Sequence, residues 1–280
     1  MTTATPSAWY CPLDDWAVLR VSGADAAQFL QGQATTDIQT LAFGTTGCGA
    51  FCSPKGRVIA NFRIAREQDG FLIFTAADLV QPLYQRLRKY VLRARVTLSL
   101  PDASERLIGL GGNTTGLPDG PCLTLNDHSG RTIGFMDPLS APINRVAVSA
   151  DAWRLADIEA GFALIRAGTS EAFLPQMLNL DWLGGIGLQK GCYTGQEIVT
   201  RTHYLGQLKR RLYRCRIEAN SEPPPGTELQ LDGQTVGELV NVCAAGHARY
   251  SALAVVTLAA SHNESLHLAG CPGAVRLERM

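Results

Sequence analysis

Two runs of alternating residues, Cys48 to Cys52 and Arg57 to Arg66, are joined by Ser53-Pro54-Lys55-Gly56. Proline second and glycine fourth in a four-residue link suit a type I turn, so the chain is expected to fold back here as a β-hairpin. In the second run Val58, Ala60, Phe62 and Ile64 share one face, and Arg57, Asn61 and Arg63 share the other, the period of a strand between a core and a polar side. Hairpins of this kind build antiparallel sheets, which argues against a doubly wound parallel fold.

The rest of the chain extends that pattern. Ala17 to Val21 reads as a strand, followed by a helix that Ser22 can cap, with Asp25 in its first turn and Gly32 as its stop. Asp69-Gly70 turns into Phe71 to Phe74, another strand. Leu79, Leu83, Leu87 and Tyr90 recur at helical spacing. Strands are expected at Val96 to Leu100 and Leu107 to Leu110, then a loop or subdomain crossing over 111–121. Short strands at Cys122 to Leu125, Thr132 to Met136 and Arg145 to Val148 precede a helix from Asp151 to Ala160, ended by Gly161. The architecture is α+β. After Gly206 the texture changes: Tyr213, Cys215 and Ile217 alternate with Arg214 and Arg216, Pro223-Pro224-Pro225-Gly226 makes a rigid turn, and short strands follow at Glu228 to Leu231, Gln234 to Val242 and Leu253 to Leu258. That is a small all-β module. The chain therefore divides into 1–206 and 207–280.

Lys+Arg and Asp+Glu both number 25 over 280 residues, so no global field favours nucleic acid or an acidic membrane. The longest apolar stretch, Ala252 to Ala260, is too short to span a bilayer, and no signal or transit peptide is recognisable at the N-terminus. Eight cysteines without a C-x-x-C pair suit neither a disulfide framework nor a metal site, and fit reduced thiols in the cytoplasm.

Chemistry concentrates in Lys190-Gly191-Cys192-Tyr193-Thr194-Gly195-Gln196-Glu197. Thr194 and Glu197 have capping-box spacing, so a helix should start near Gly195. Cys192 then precedes a helix N-terminus, whose amides and dipole favour a thiolate, and Lys190 adds a cation. Gly191 and Gly195 would leave room for a ligand. The plain alternative is a small residue filling a turn.

The same stretch resembles the signature K-G-C-Y-x-G-Q-E of the folate-binding YgfZ family. Asp15-Trp16-Ala17, Ser22-Gly23-Ala24-Asp25, Gln31-Gly32-Gln33 and Ser53-Pro54-Lys55-Gly56-Arg57 resemble that family too. The resemblance implies a relative of the glycine-cleavage aminomethyltransferase (T-protein): a folate-binding α+β body followed by a β-barrel. It implies tetrahydrofolate or a one-carbon derivative as cofactor, and Cys192 as the essential residue with Lys190 beside it. The implied folate contacts are Glu159 and Trp16 at the pterin, with Asn61 and Tyr193 nearby and Lys209 and Arg210 for the glutamate tail.

One departure bears on the reaction. At the positions of an Asp pair in T-proteins this chain has Ala60 and Asn61, neither of which is an acid or base near neutral pH. The resemblance then implies a folate-dependent accessory factor for iron–sulfur client or assembly proteins, indirectly supporting tRNA thiolation. An aminomethyl transferase with altered substrate and a tRNA-binding module remain as alternatives. Arg201, His203, Lys209, Arg210 and Arg211 form a local basic cluster, but balanced net charge implies weak or no direct tRNA binding.

Overall fold

The computed structural model describes residues 8–101, 105–112, 122–125, 130–136, 144–263 and 266–278. Most of the expected crossing, 113–121, lies outside the described residues. The hairpin forms as its turn dictates. Strand β3 (Thr46–Cys52) pairs antiparallel with β4 (Val58–Glu67), the Gly56 amide donates to the Ser53 carbonyl at 2.9 Å, and Gly56 takes the left-handed φ of +70°. β2 (Trp16–Ser22), β5 (Gly70–Ala76) and β6 (Thr97–Ser99) complete an antiparallel sheet of order β3-β4-β5-β2-β6.

A second sheet has the order β10-β1-β7-β9-β8, from β1 (Ala8–Pro12), β7 (Arg106–Gly112), β8 (Cys122–Thr124), β9 (Thr132–Met136) and β10 (Val146–Ala147). Its β1–β10 pair is parallel. A closed barrel follows, ordered β11-β14-β13-β12-β15-β16. Its strands are β11 (Arg210–Glu218), β12 (Glu228–Leu231), β13 (Gln234–Gly246), β14 (Arg249–Thr257), β15 (Leu266–Leu268) and β16 (Cys271–Glu278). The last two were not foreseen: β15 is three residues long, too short for a visible alternation.

Four α-helices are described: α1 (Ala26–Gln31), α2 (Ala77–Val91), α3 (Asp151–Glu159) and α4 (Gln196–Tyr204). α2 buries Leu79, Leu83 and Leu87 as their spacing requires, but Tyr90 is exposed beside Arg86. Ser22 caps nothing. It ends β2, and Asp25 at the N-cap instead accepts from the Arg95 amide at 2.8 Å and pairs with its guanidinium at 3.2 Å. Gly32 does cap α1 at its C-terminus.

The polar face of β4 is not a solvent face. Asn61 and Arg63 are buried, because the segment after α3 runs across them. The Asn61 amide donates to the Ala163 carbonyl (2.5 Å) and accepts from the Ile165 amide (2.9 Å), which satisfies a buried backbone stretch that has no strand partner there. The body core includes Leu212, Val240, Leu253 and Val255 from the outer face of the barrel, while Cys215, Ile217, Leu239, Ala254 and Val256 fill the barrel interior. One strand thus serves two cores through its period of two. No described helix is long and apolar enough to cross a membrane.

Candidate functional site

Three segments far apart in sequence meet around residues 185–198. The loop after α1 is clasped to it first: Thr35 donates its hydroxyl to the Gly185 carbonyl (2.6 Å), and the Gly187 amide donates to the Thr35 carbonyl (2.8 Å). Lys190, only 9% exposed, donates from Nζ to the Ala34 carbonyl at 2.6 Å and the Thr36 carbonyl at 2.8 Å. Burial lowers its pKa to about 8, with Asp37 pulling the other way. Its ammonium also lies 5.0 Å from the Tyr193 ring centre. The expected cation beside Cys192 is therefore a clamp on the neighbouring loop.

The hairpin tip supplies the other wall. A Cβ on Gly195 would stand 2.5 Å from the Ser53 carbonyl oxygen and 3.0 Å from the Gly56 Cα, and one on Gly56 would meet Ile198 at 2.9 Å. Both glycines have positive φ, +84° and +70°. Gly195 therefore makes room for the hairpin tip and not for a ligand, whereas Gly191 has open space. α4 starts at Gln196, next to the expected residue, but the capping box does not form. Gly195 is the N-cap, and the Gln196 side-chain oxygen accepts from the Tyr193 amide at 3.3 Å instead. With Gly195 as the N-cap, Thr194 stands one residue before the cap and Glu197 at the second helical position, out of register for the box.

Cys192 is exposed at this clamped turn. Burial pushes Cys48 up to about 11 and Cys11, Cys52, Cys215 and Cys243 up to about 12. Of the six cysteines whose side chains are described, Cys192 is the exposed one, and a thiol must reach solvent and ionise to react. Among the described residues no group of three His, Cys, Asp or Glu could hold a metal ion.

Two clefts flank Phe162, which lines both. The larger, about 480 Å³, is walled by Cys48, Arg63, Leu125, Ala160, Phe162 and Trp182. The smaller, about 250 Å³, lies between body and barrel against Trp16, Asp157, Phe162, Leu164, Arg166 and Asn241, with Arg154 also at its edge. Trp16 and Phe162 stack with centroids 6.1 Å apart, and the Arg63 guanidinium lies 4.0 Å from the Phe162 ring centre and 5.2 Å from that of Trp16. Asp157 Oδ1 accepts from Arg63 (2.7 Å) and Arg131 (2.8 Å), all three buried. Sequence reading missed this cluster. Its signal was Asp157 four residues after Trp153 on α3, on the face toward the core.

Of the expected folate contacts, Trp16 lines the smaller cleft. Glu159 lines neither cleft. It is half-exposed and held by Arg214 at 2.5 Å and Arg216 at 2.9 Å on the barrel. The Asn61 amide is taken by backbone, and Tyr193 is buried, its phenol pushed up by burial. Lys209 is exposed and Arg210 half-buried, and neither lines a cleft. Cys192 and Lys190 also lie outside both clefts. A pterin needs a carboxylate for its aminopyrimidine edge, apolar walls for its rings and cations for its tail. The smaller cleft offers Asp157, the Trp16 and Phe162 rings, and Arg154 and Arg166. The Trp16 and Phe162 rings fit the apolar face of a bicyclic ring, whereas the polar groups are already engaged, Asp157 by Arg63 and Arg131, Arg154 by Asp15 and Asp151, and Arg166 by Asp15 and Asp78. At 250 Å³ the cleft falls below the ~300 Å³ usual for a whole drug-sized ligand, so a tail would lie along the rim.

No family model matches the chain. The chain is 35% identical over 245 residues to the tRNA-modifying protein YgfZ of Enterobacter sp. (strain 638), covering 78% of this chain and 75% of that one. It is 32% identical over 245 residues, with the same coverage, to the protein of that name from Escherichia coli (strain K12). In structure it is similar to the glycine cleavage system aminomethyltransferase T from Bartonella henselae, with a TM-score of 0.77 at 15% identity over 98% of this chain and 85% of that one. The fold is thus that of a T-protein, while 32–35% identity covering three quarters of two relatives places the chain in the YgfZ family.

Proposed function

We propose that the chain is a cytoplasmic, folate-binding accessory factor for the synthesis or repair of iron–sulfur proteins, supporting tRNA modification through Cys192. The observation that carries this reading is the exposed thiol on a turn clamped from both sides, by Lys190 on the Ala34 and Thr36 carbonyls and by Gly195 against the hairpin tip. Holding a turn this firmly makes sense where one atom must be presented in a fixed place. A single thiolate does not complete an iron–sulfur shell, which takes about four such ligands. A client protein or small thiol would supply the rest. Tetrahydrofolate or a one-carbon derivative would bind with its ring against the wall formed by Trp16 and Phe162, beside Asp157, and its tail along the rim, where its carboxylates would compete with Asp15 and Asp78 for Arg154 and Arg166, supplying one-carbon chemistry when bound.

Aminomethyl transfer is disfavoured. The position that would need a carboxylate is Asn61, whose amide is bonded to Ala163 and Ile165 and has no proton to exchange near neutral pH.

The test is one variant read two ways. In a bacterial strain lacking its own homologue, Cys192→Ser should fail to restore tRNA thiolation while calorimetric titration with tetrahydrofolate gives wild-type affinity. Trp16→Ala should weaken that affinity tenfold or more. Full rescue by Cys192→Ser removes the thiol from the function, and unchanged affinity in Trp16→Ala removes the cleft.

A further inference from the structure

Between Glu197 and Glu218 the chain contains no acidic residue, yet it carries six Lys and Arg and one His. The fold neutralises part of that charge. Arg211 forms a two-bond pair with Asp181 (3.0 and 2.8 Å), and Arg214 and Arg216 are held by Glu159 and Glu278. Arg201 and Lys209 are exposed and make no ion pair among the described residues. They bracket two exposed side chains: Tyr204, 61% accessible, and Leu205, 84% accessible. His203 lies edge-on to the Tyr204 ring at 4.9 Å. Leu205 sits one turn beyond Arg201, its amide donating to the Arg201 carbonyl at 2.9 Å, so the two share a face of α4. Two residues beyond Lys209, Arg211 holds the exposed ring of Trp182, its guanidinium carbon 4.0 Å from the ring centre.

Unpaired cations interleaved with exposed rings suit a particular occupant. The cations meet phosphates, and the rings stack on bases that are not already stacked in a duplex. An acidic protein would engage the cations and leave the rings without a purpose. We infer that the C-terminal end of α4 and its link to β11 form a contact surface for a single-stranded RNA loop. Binding there is weak and salt-dependent, because a chain of zero net charge adds no long-range attraction. α4 has nine residues, about 13 Å at 1.5 Å per residue, so the loop would lie roughly one helix length from the Cys192 turn. The inference goes beyond the proposed function and does not depend on the thiol or the folate cleft.

Fluorescence anisotropy of the full chain tests it, with a labelled 17-nucleotide RNA stem-loop as probe and a blunt RNA duplex for comparison. The expected result is binding to the stem-loop that falls with salt at a log–log slope of about −1.4, ~0.7 for each of two phosphate contacts, and weaker binding to the duplex. Arg201→Glu with Lys209→Glu should lower affinity at least tenfold, and Tyr204→Ala at least fivefold. Arg249→Glu, an exposed charge on the barrel, should leave it unchanged. Cys192→Ser should also bind as wild type, which separates this surface from the thiol. Wild-type affinity in the double charge variant overturns the inference, as does absence of stem-loop binding at low salt. So does capture, through these same two cations, of a polyglutamate probe in preference to RNA.

Discussion

Lys190 is a charged group at the edge of what burial tolerates. Its ammonium has two carbonyl acceptors and little water, and burial lowers its pKa from 10.5 to about 8. The unfolded chain therefore binds more protons at this site than the native one between about pH 8 and 10.5. Stability contributed by Lys190 rises with pH across that window and is flat below it. Lys190→Met removes both hydrogen bonds and takes the donor from the buried Ala34 carbonyl, at about 1–3 kcal/mol, and from the half-buried Thr36 carbonyl at less. In urea unfolding at pH 7 to 10, the gap between wild type and Lys190→Met should start at a few kcal/mol and widen above pH 8. A gap that stays constant to pH 10 would mean the lysine is not desolvated. The same measurement separates clamp from catalyst, since a lysine needed only for chemistry would leave the unfolding midpoint untouched.

At the scale of elements, the two most distinctive stretches of sequence are two halves of one joint: the hairpin tip at 53–56 and the turn into α4. Gly195 is the contact point. Alanine there meets the Ser53 carbonyl at 2.5 Å and carries a left-handed φ of +84°, which alone costs about 1–2 kcal/mol. Gly195→Ala should lower Tm by at least ~4 °C, taking 2–4 °C per kcal/mol for a chain of this size, and speed maleimide labelling of Cys192 as the turn loosens. Gly191→Ala, with nothing near its Cβ, should do neither. Equal Tm for the two variants would show that the joint is not under this constraint. The sequence made the hairpin, the start of α4 and the barrel's first strand readable, because turn residues and a period of two are local signals. It could not show the pairing of the tip with Gly195, nor that the polar face of β4 is covered, because both depend on which distant segment crosses there. Asn61 and Arg63 look like surface residues until Ala163, Ile165 and Asp157 arrive. The capping box failed for a related reason: Thr194 and Glu197 had the right spacing, but Gly195, left-handed to admit the hairpin, became the N-cap and put both out of register.

Across the whole molecule, the barrel is bound to the body by the kind of contacts that hold a single core. Leu212, Val240, Leu253 and Val255 belong to the body's apolar cluster, Asn241 exchanges two 2.9 Å hydrogen bonds with the Leu164 backbone, and Asn179 donates to the Leu212 carbonyl at 2.9 Å. The smaller cleft is walled from both sides of this seam, by Trp16 and Asp157 on one and Asn241 and Val242 on the other. A ring bound there would feel any opening between them, so the seam must be stable for the cleft to exist at all. This coupling is measurable because all four tryptophans, Trp9, Trp16, Trp153 and Trp182, precede the barrel. Leu253→Ala, a truncation within β14, should cost about 2–5 kcal/mol and shift the tryptophan-reported urea midpoint together with the far-ultraviolet circular dichroism midpoint. If the tryptophan transition held at its wild-type position while the dichroism signal split, the barrel would be unfolding alone, and the cleft would be a gap between independent units.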